Sequence, residues 1–294
     1  DSVNFIRKHF PSIKIIKNGK NLGFGSAVNR GLGLAKGDYF LFLNSDLKLH
    51  SKCVGELAKV LENDTNVGGT IPKILYIDQQ NTINSLGVLI NYTGIAYPNL
   101  LGQKDSGYQE PFESACGGIF MLRREVYETV GGFDEDLFLY HEDHDLSWRV
   151  RLAGWHLKVV PQAIMHHHYK FNKGVFKYYS SEKNRLHILL KNMEVKTLAL
   201  IFPALITIEF LQWFHAVLHR WFLLKVKSYI EILKIFPRIL IKRKKLKLLR
   251  KVSDKEITRV YKGTLAISGT NNPLLTYLLS PALNTYWKII RHLI

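Results

Sequence analysis

The 294-residue chain has only two cysteines, Cys53 and Cys116, far apart, with no CxxC spacing and no histidines at finger spacing. That excludes a disulfide framework and a structural zinc site, and it points to a reducing compartment. Internal repeats and low-complexity tracts are missing. No signal peptide opens the chain, which starts in a polar stretch, DSVNFIRKHFP, so an N-terminal strand is expected to be missing. A clean membrane span is lacking too: the charge-free residues 197–208 are too few and contain Pro203, against the roughly 20 apolar residues a bilayer requires. Acid is scarce in the last third. Residues 191–294 hold 19 Lys+Arg against 5 Asp+Glu, net +14, whereas residues 1–190 hold 22 against 19, net +3, of a total of +17.

What is present suits a folded α/β protein, with 47% hydrophobic and 22% charged residues. Residues 3–10 read as a short amphipathic segment, 13–16 as a strand, 25–34 as a helix, and 38–43 as an apolar strand ending at Asn44-Ser45-Asp46. Apolar strands separated by helices predict a mostly parallel, Rossmann-like sheet flanked by helices, with ligands beyond the carboxyl ends of the strands. A helix follows over 51–63, with apolar Val54, Leu57, Ala58 and Leu61. Residues 67–112 read as short strands and a long loop. A second structured block spans 114–168, and a helix covers 176–191.

Three segments offer chemistry. Asp46, after its apolar strand, suits a divalent cation held against a diphosphate, although Asn-Ser-Asp is also ordinary turn chemistry. In YHEDHDLSWR (140–149), helical spacing puts Glu142 and Asp145 on one face with Arg149, which leaves Asp143 as the free carboxylate. At a helix N-terminus it is expected to keep a low pKa and serve as an ionised base. In His166-His167-His168 an extended backbone turns His166 and His168 one way and His167 the other. Carboxylate and imidazole together suit manganese or a similar ion. The glycines of NLGFGSAVNRG (21–31) fit a dinucleotide fingerprint poorly, because Val28 stands at the third glycine position.

Together these segments resemble the family-2 inverting glycosyltransferases of GT-A fold, especially the bacterial rhamnosyltransferase-like branch. NLGFGSAVNRG is similar to that family's N-x-G-F…N-x-G segment. FLFLNSD is similar to its strand ending in N-P-D, a variant of the D-x-D metal motif. ACGGIFMLRREVYETVGGFDEDLFLYHEDHDLSWRVRLAGW resembles its long G-x…R-R…V-G-G-F-D-E…E-D-x-D-L block almost without a break, and the resemblance covers residues 1–192. It implies Asp143 as general base, and Asp46 and His166 as ligands of Mg²⁺ or Mn²⁺. It further implies Asn21, Gly23, Asn29, Asn44, Asp46, Gly117 and Gly118 at the nucleotide-sugar donor, and Glu142 and Arg149 at the acceptor. Asn44 replaces the first acid of D-x-D, Ser45 replaces the commoner proline, and Asp1-Ser2 resembles the tail of the family's nucleotide-binding loop.

The resemblance implies inverting transfer from a UDP- or dTDP-sugar, with dTDP-rhamnose suggested by the branch, to a glycan or lipid-linked glycan of the cell envelope. A catalytically inactive scaffold of the same fold is the alternative. Residues 193–294 read as a second, helical and basic region. Glu209, Gln212, His215 and His219 recur at helical spacing among large apolar residues, and a basic run follows over 242–247. Such a tail suits an anionic membrane surface at the cytoplasmic face. Nucleic acid is not an expected partner, because the basic run is aliphatic and lacks interleaved stacking aromatics.

Overall fold

The computed structural model describes residues 2–168, 174–265 and 273–294. Asp1, read above as part of a nucleotide-binding loop, lies outside them. The first half runs α1 (Ser2–His9), α2 (Phe24–Leu32), β1 (Tyr39–Leu41), β2 (Leu47–Leu49), α3 (Cys53–Asn63), β3 (Val67–Tyr76), β4 (Ile83–Leu86), β5 (Val88–Ile90), β6 (Ala96–Pro98) and β7 (Phe112–Glu113). There follow β8 (Met121–Arg123), α4 (Arg124–Val130), α5 (Glu142–Leu152), β9 (His156–His167) and α6 (Val175–Asn192). The last third holds α7 (Val195–Leu218), α8 (Phe222–Leu249), α9 (Asp254–Ile257) and α10 (Ser280–Ile290).

The main sheet has the order β1-β8-β3-β9-β2, with β4 beside β3 and β7 beside β9. It corrects the expectation of a mostly parallel sheet. Among the described residues only β3 and β9 pair in parallel, and every other pairing is antiparallel. Residues 13–16, expected as a strand, carry no ladder.

The central strand is β3, which fell in a stretch read as short strands and loop. Its residues are buried along almost its whole length, as a strand covered on both faces must be. Its sequence, VGGTIPKILY, hides this. A Cβ on Gly68 would stand 2.7 Å from the Trp155 side chain, so bulk is excluded there, and Pro72 sits where the β3–β9 register shifts. Buried Lys73 is neutralised by Asp105 at 2.5 Å.

Apolar side chains fill both faces of the sheet. Leu57 and Leu61 of α3 meet Val67, Val160 and Met165 on one side, and Phe40, Leu122, Val126 and Leu157 gather on the other. A third cluster joins Trp148 and Leu152 of α5 to Ile201 and Ile208 of α7, to Ile257, and to Trp287 of α10. The sheet-bearing part and the basic tail therefore share buried apolar contacts across the expected division at residue 192.

Two features of the tail differ from expectation. α7 runs unbroken through Pro203 for 24 residues, and by length and composition it is long and apolar enough to cross a membrane. Its polar residues Glu209 and Gln212 turn inward, where both accept from the buried Lys225 ammonium at 2.8 Å.

Candidate active site

The strand ladder gathers the site at one edge of the sheet. Leu41, near the end of β1, pairs with Met121 at the start of β8, and the Phe42 N–H continues the contact to the Phe120 carbonyl at 3.2 Å. The segment after β1, Asn44-Ser45-Asp46, and the segment before β8, Gly117-Gly118, therefore lie side by side. At the same edge β9 ends against β2, with His167 opposite Leu47 and the His168 N–H bonded to the Asp46 carbonyl at 2.9 Å. An open cleft of about 490 Å³ lies here, lined by Phe24, Ala27 and Val28 of α2 and by Leu43, Asn44, Ser45 and Asp46.

Asp46 is half-exposed, and its Oδ2 stands 3.2 Å from Nε2 of His167. The imidazole beside Asp46 is thus His167, where His166 was expected. The alternation along β9 turns the 167 ring toward Asp46 and leaves His166 on the opposite side, opposite Lys48. Nδ1 of His167 lies 3.0 Å from Asn84 Oδ1. With Nδ1–H donating to that oxygen, the Nε2 lone pair is directed at Asp46, the orientation a metal-binding imidazole needs. A carboxylate and an imidazole so arranged fit a hard or borderline divalent ion.

Another group, Asp134, Asp136 and His187, also has potential ligand atoms within 4.8 Å of one another. Cations already occupy it. Lys191 lies 2.5 Å from Asp134, Lys242 pairs with both aspartates, and Arg238 lies 2.7 Å from Asp136. Burial raises the Asp134 carboxyl, but Lys191 and Lys242 outweigh it and hold the group down at about 2. With its charge spent on ammonium groups, this cluster is the weaker cation seat.

Asp143 opens α5 beside Gly118: a Cβ on that glycine would lie 3.7 Å from Asp143 Oδ2, so the carboxylate borders the loop before β8. The Cys116 thiol donates to the same oxygen at 3.6 Å. Its pKa runs against expectation. Burial pushes the Asp143 carboxyl up, and the backbone N–H of His144 and the Cys116 thiol only partly reverse the rise. Burial also pushes neighbouring Glu142 up to about 8, with the charge of Asp143 adding to it. Glu142 is thus a neutral acid near pH 7, its Oε2 buried and without a hydrogen-bond partner among the described residues.

Strain positions this pair. Tyr140 and His141, immediately before α5, both hold left-handed backbone, at φ 69° and 66°. Non-glycine residues occupy that region only when their surroundings impose it. The imposing group is Asn184 of α6, whose buried Nδ2 donates to the Leu139 and Tyr140 carbonyls at 2.9 and 2.7 Å. Sequence reading missed Asn184, and only its place in a helix soon after the acidic block hinted at it.

Several residues expected at the ligands make contacts within the chain. Asn21 Oδ1 accepts the Gly23 N–H at 2.9 Å. Gly23 has φ 80° and lies against the Phe138 carbonyl, a combination only glycine tolerates. Asn29 is a clamp: Nδ2 donates to the Phe133 carbonyl (2.9 Å) and Oδ1 accepts the Phe133 N–H (2.8 Å). The NLGFG…NRG and GGFDEDLF segments therefore bind one another. Gly117 is buried against Ile71.

Arg149, expected at the acceptor, is buried. Its Nε meets Asp145 at 2.9 Å, and its other nitrogens donate to the carbonyls of Val130, Gly131 and Gly132. Burial raises the Asp145 carboxyl, but Lys191 and Arg149 reverse this and hold it far below the usual range.

The comparisons agree with this architecture. Residues 1–131 match the model for glycosyl transferase family 2, and residues 100–173 match the N-terminal domain of galactosyltransferase. The chain thus has the GT-A fold, and its residues 1–131 are similar to the family-2 glycosyltransferases.

It is similar to the N-acetylglucosaminyl-diphospho-decaprenol L-rhamnosyltransferase of Mycobacterium tuberculosis, 27% identical over 191 residues, covering 57% of this chain and 62% of that one. It is also similar to rhamnosyltransferase WbbL of Escherichia coli, 28% identical over 190 residues, covering 58% and 70%. The match thus spans only about six-tenths of the mycobacterial relative's length. The crystal structure of GalNAc-T7 with UDP, GalNAc and Mn²⁺ superposes with a TM-score of 0.53 at 16% identity, covering 69% of this chain and 40% of that chain, a likeness of fold.

Proposed function

We propose that this chain transfers a sugar, with inversion, from a UDP- or dTDP-sugar such as dTDP-rhamnose to a hydroxyl of a glycan or lipid-linked glycan in cell-envelope polysaccharide synthesis. The observation that carries the reading is the convergence of Asp46, His167, Gly118 and the raised carboxyl of Asp143 on one edge of the sheet. The named rhamnosyltransferases above support the substrate class.

Asp143 takes the proton of the attacking acceptor hydroxyl. The new glycosidic C–O bond forms as the anomeric C–O bond to the diphosphate breaks, and the diphosphate leaves with that electron pair. A carboxyl shifted upward is a stronger base than an ordinary aspartate, and a positioned base is worth about 10² to 10⁴ in rate. Glu142, kept neutral, lies next to it and helps orient the acceptor. Asn44 and Asp46 line the donor cleft, and Gly118, on the neighbouring segment before β8, lets the sugar approach the backbone closely. Asp46 and His167 would hold Mg²⁺ or Mn²⁺, which neutralises charge on the leaving diphosphate when bound. In this reading residues 1–192 catalyse, and residues 193–294 keep the enzyme at the cytoplasmic face of an anionic membrane.

The test is transfer to a lipid-linked acceptor from UDP- and dTDP-sugars with Mn²⁺. Turnover that Asp143→Asn removes supports the reading. A folded wild type that binds no nucleotide sugar refutes it in favour of an inactive scaffold.

A further inference from the structure

We infer that the outward face of the α7–α8 hairpin is seated in the acyl layer of one leaflet of an anionic bilayer. The inference deepens the membrane placement proposed above for residues 193–294 and rests on it, while the transfer reaction can stand or fall separately.

The hairpin is built inside out. Lys225 is fully buried and lies 3.0 Å from Glu182 and 2.8 Å from Glu209. Arg185 is 2.6 Å from Glu182 and also pairs with Glu209, which accepts the Tyr229 hydroxyl as well. From the same turns large apolar side chains face outward: Phe210 is 73% exposed, Phe214 61%, Leu223 79% and Leu233 72%. A water-facing helix shows the opposite polarity, and a contiguous apolar surface of this kind marks an interaction site. Ion pairs turned inward and hydrocarbon turned outward is the arrangement that acyl chains favour.

Charge selects the occupant. Exposed Lys234, Lys244, Lys245 and Lys247 punctuate the same surface of α8. The sole acid in residues 210–253 is Glu231, which accepts the Tyr179 hydroxyl. Pressing two copies of this face together would bring like charges into contact without compensation, whereas anionic headgroups supply the missing sign. A full crossing by α7 is disfavoured, because Ile201, Ala204 and Ile208 are buried in the cluster that holds Trp148 and Ile257. The helix lies along the membrane with one side on the protein.

The experiment is flotation of the full chain with vesicles of equal parts phosphatidylcholine and phosphatidylglycerol, at low salt and at about 1 M salt, where the screening length falls to about 3 Å. Wild type is expected to float and to remain largely bound at high salt. The triple variant Phe210→Ser, Phe214→Ser, Leu223→Ser is expected to lose roughly tenfold or more in partitioning with an unchanged melting curve. Replacing Lys244, Lys245 and Lys247 by Gln is expected to remove only the salt-sensitive part. Complete release of wild type at high salt, equal flotation of the triple variant, or no flotation with a dimer that the triple variant abolishes would each overturn the inference.

Discussion

His167 Nε2 stands 3.2 Å from Asp46 Oδ2, tying the last residue of β9 to the loop that follows β1. In the absence of an ion this is a carboxylate–imidazole contact on a partly open surface. With Nδ1–H donating to Asn84 Oδ1, the pair would offer an ion two ligand atoms, as proposed above. His167→Ala is expected to weaken Mn²⁺ binding by about 10- to 100-fold, the usual effect of disturbing an ion's immediate supports. His166→Ala should leave it nearly unchanged. Mn²⁺ titration followed by electron paramagnetic resonance reads both, and equal losses in the two variants would contradict the assignment.

Asn184 holds the two left-handed residues that present Glu142 and Asp143. Asn184→Ala removes two hydrogen bonds to partly buried carbonyls, so a stability loss of about 1–3 kcal/mol is expected in urea unfolding. With the turn relaxed, kcat should fall further than acceptor KM rises. Loss of stability with unaltered kcat would limit Asn184 to a structural role.

Arg149 and Asp145 form a buried pair 2.9 Å apart. Removing the arginine leaves Asp145 to Lys191, 2.6 Å away, and strips the donors from three backbone carbonyls, which costs about 1–3 kcal/mol. Arg149→Met should therefore lower the melting temperature. If it raised acceptor KM while leaving stability intact, the arginine would face substrate after all.

Much of this was legible in the sequence. The amphipathic helices announced themselves by period, as α3 did with Leu57 and Leu61. The acidic block was read correctly as a helix start, and Arg149 as a neutraliser of Asp145, because both depend on local spacing. What failed depends on long-range contact. The strand β3 was obscured by Gly68, Gly69, Pro72 and Lys73, whose presence makes sense only against Trp155, the register shift and Asp105. The choice of His167 over His166 rests on the β2–β9 register, which no local pattern encodes. The contact of the NLGFG…NRG segment with the GGFDEDLF segment was not legible either, because its partner lies about 100 residues away. The same limit hid the pKa of Asp143: helix position argued for a depressed value, but burial raises it.

Glu142 gives a pH signature. Its folded-state pKa of about 8 lies above the unfolded value near 4.3, so the folded state binds the proton more tightly. Its stabilising contribution is full below the unfolded pKa and is lost as pH rises through about 8. Wild type should therefore lose stability across that window relative to Glu142→Gln, read as melting temperature against pH. Parallel curves for the two proteins would show that the carboxyl titrates normally.

The most direct test of the account is calorimetry of UDP- and dTDP-sugar binding with Mn²⁺, run beside a transfer assay on wild type, Asp46→Asn and Asp143→Asn. The account predicts that Asp46→Asn loses metal-dependent donor binding. Asp143→Asn should bind donor like wild type yet transfer about 10² to 10⁴ times more slowly. Wild-type turnover by Asp143→Asn, or unchanged donor binding by Asp46→Asn, would contradict it.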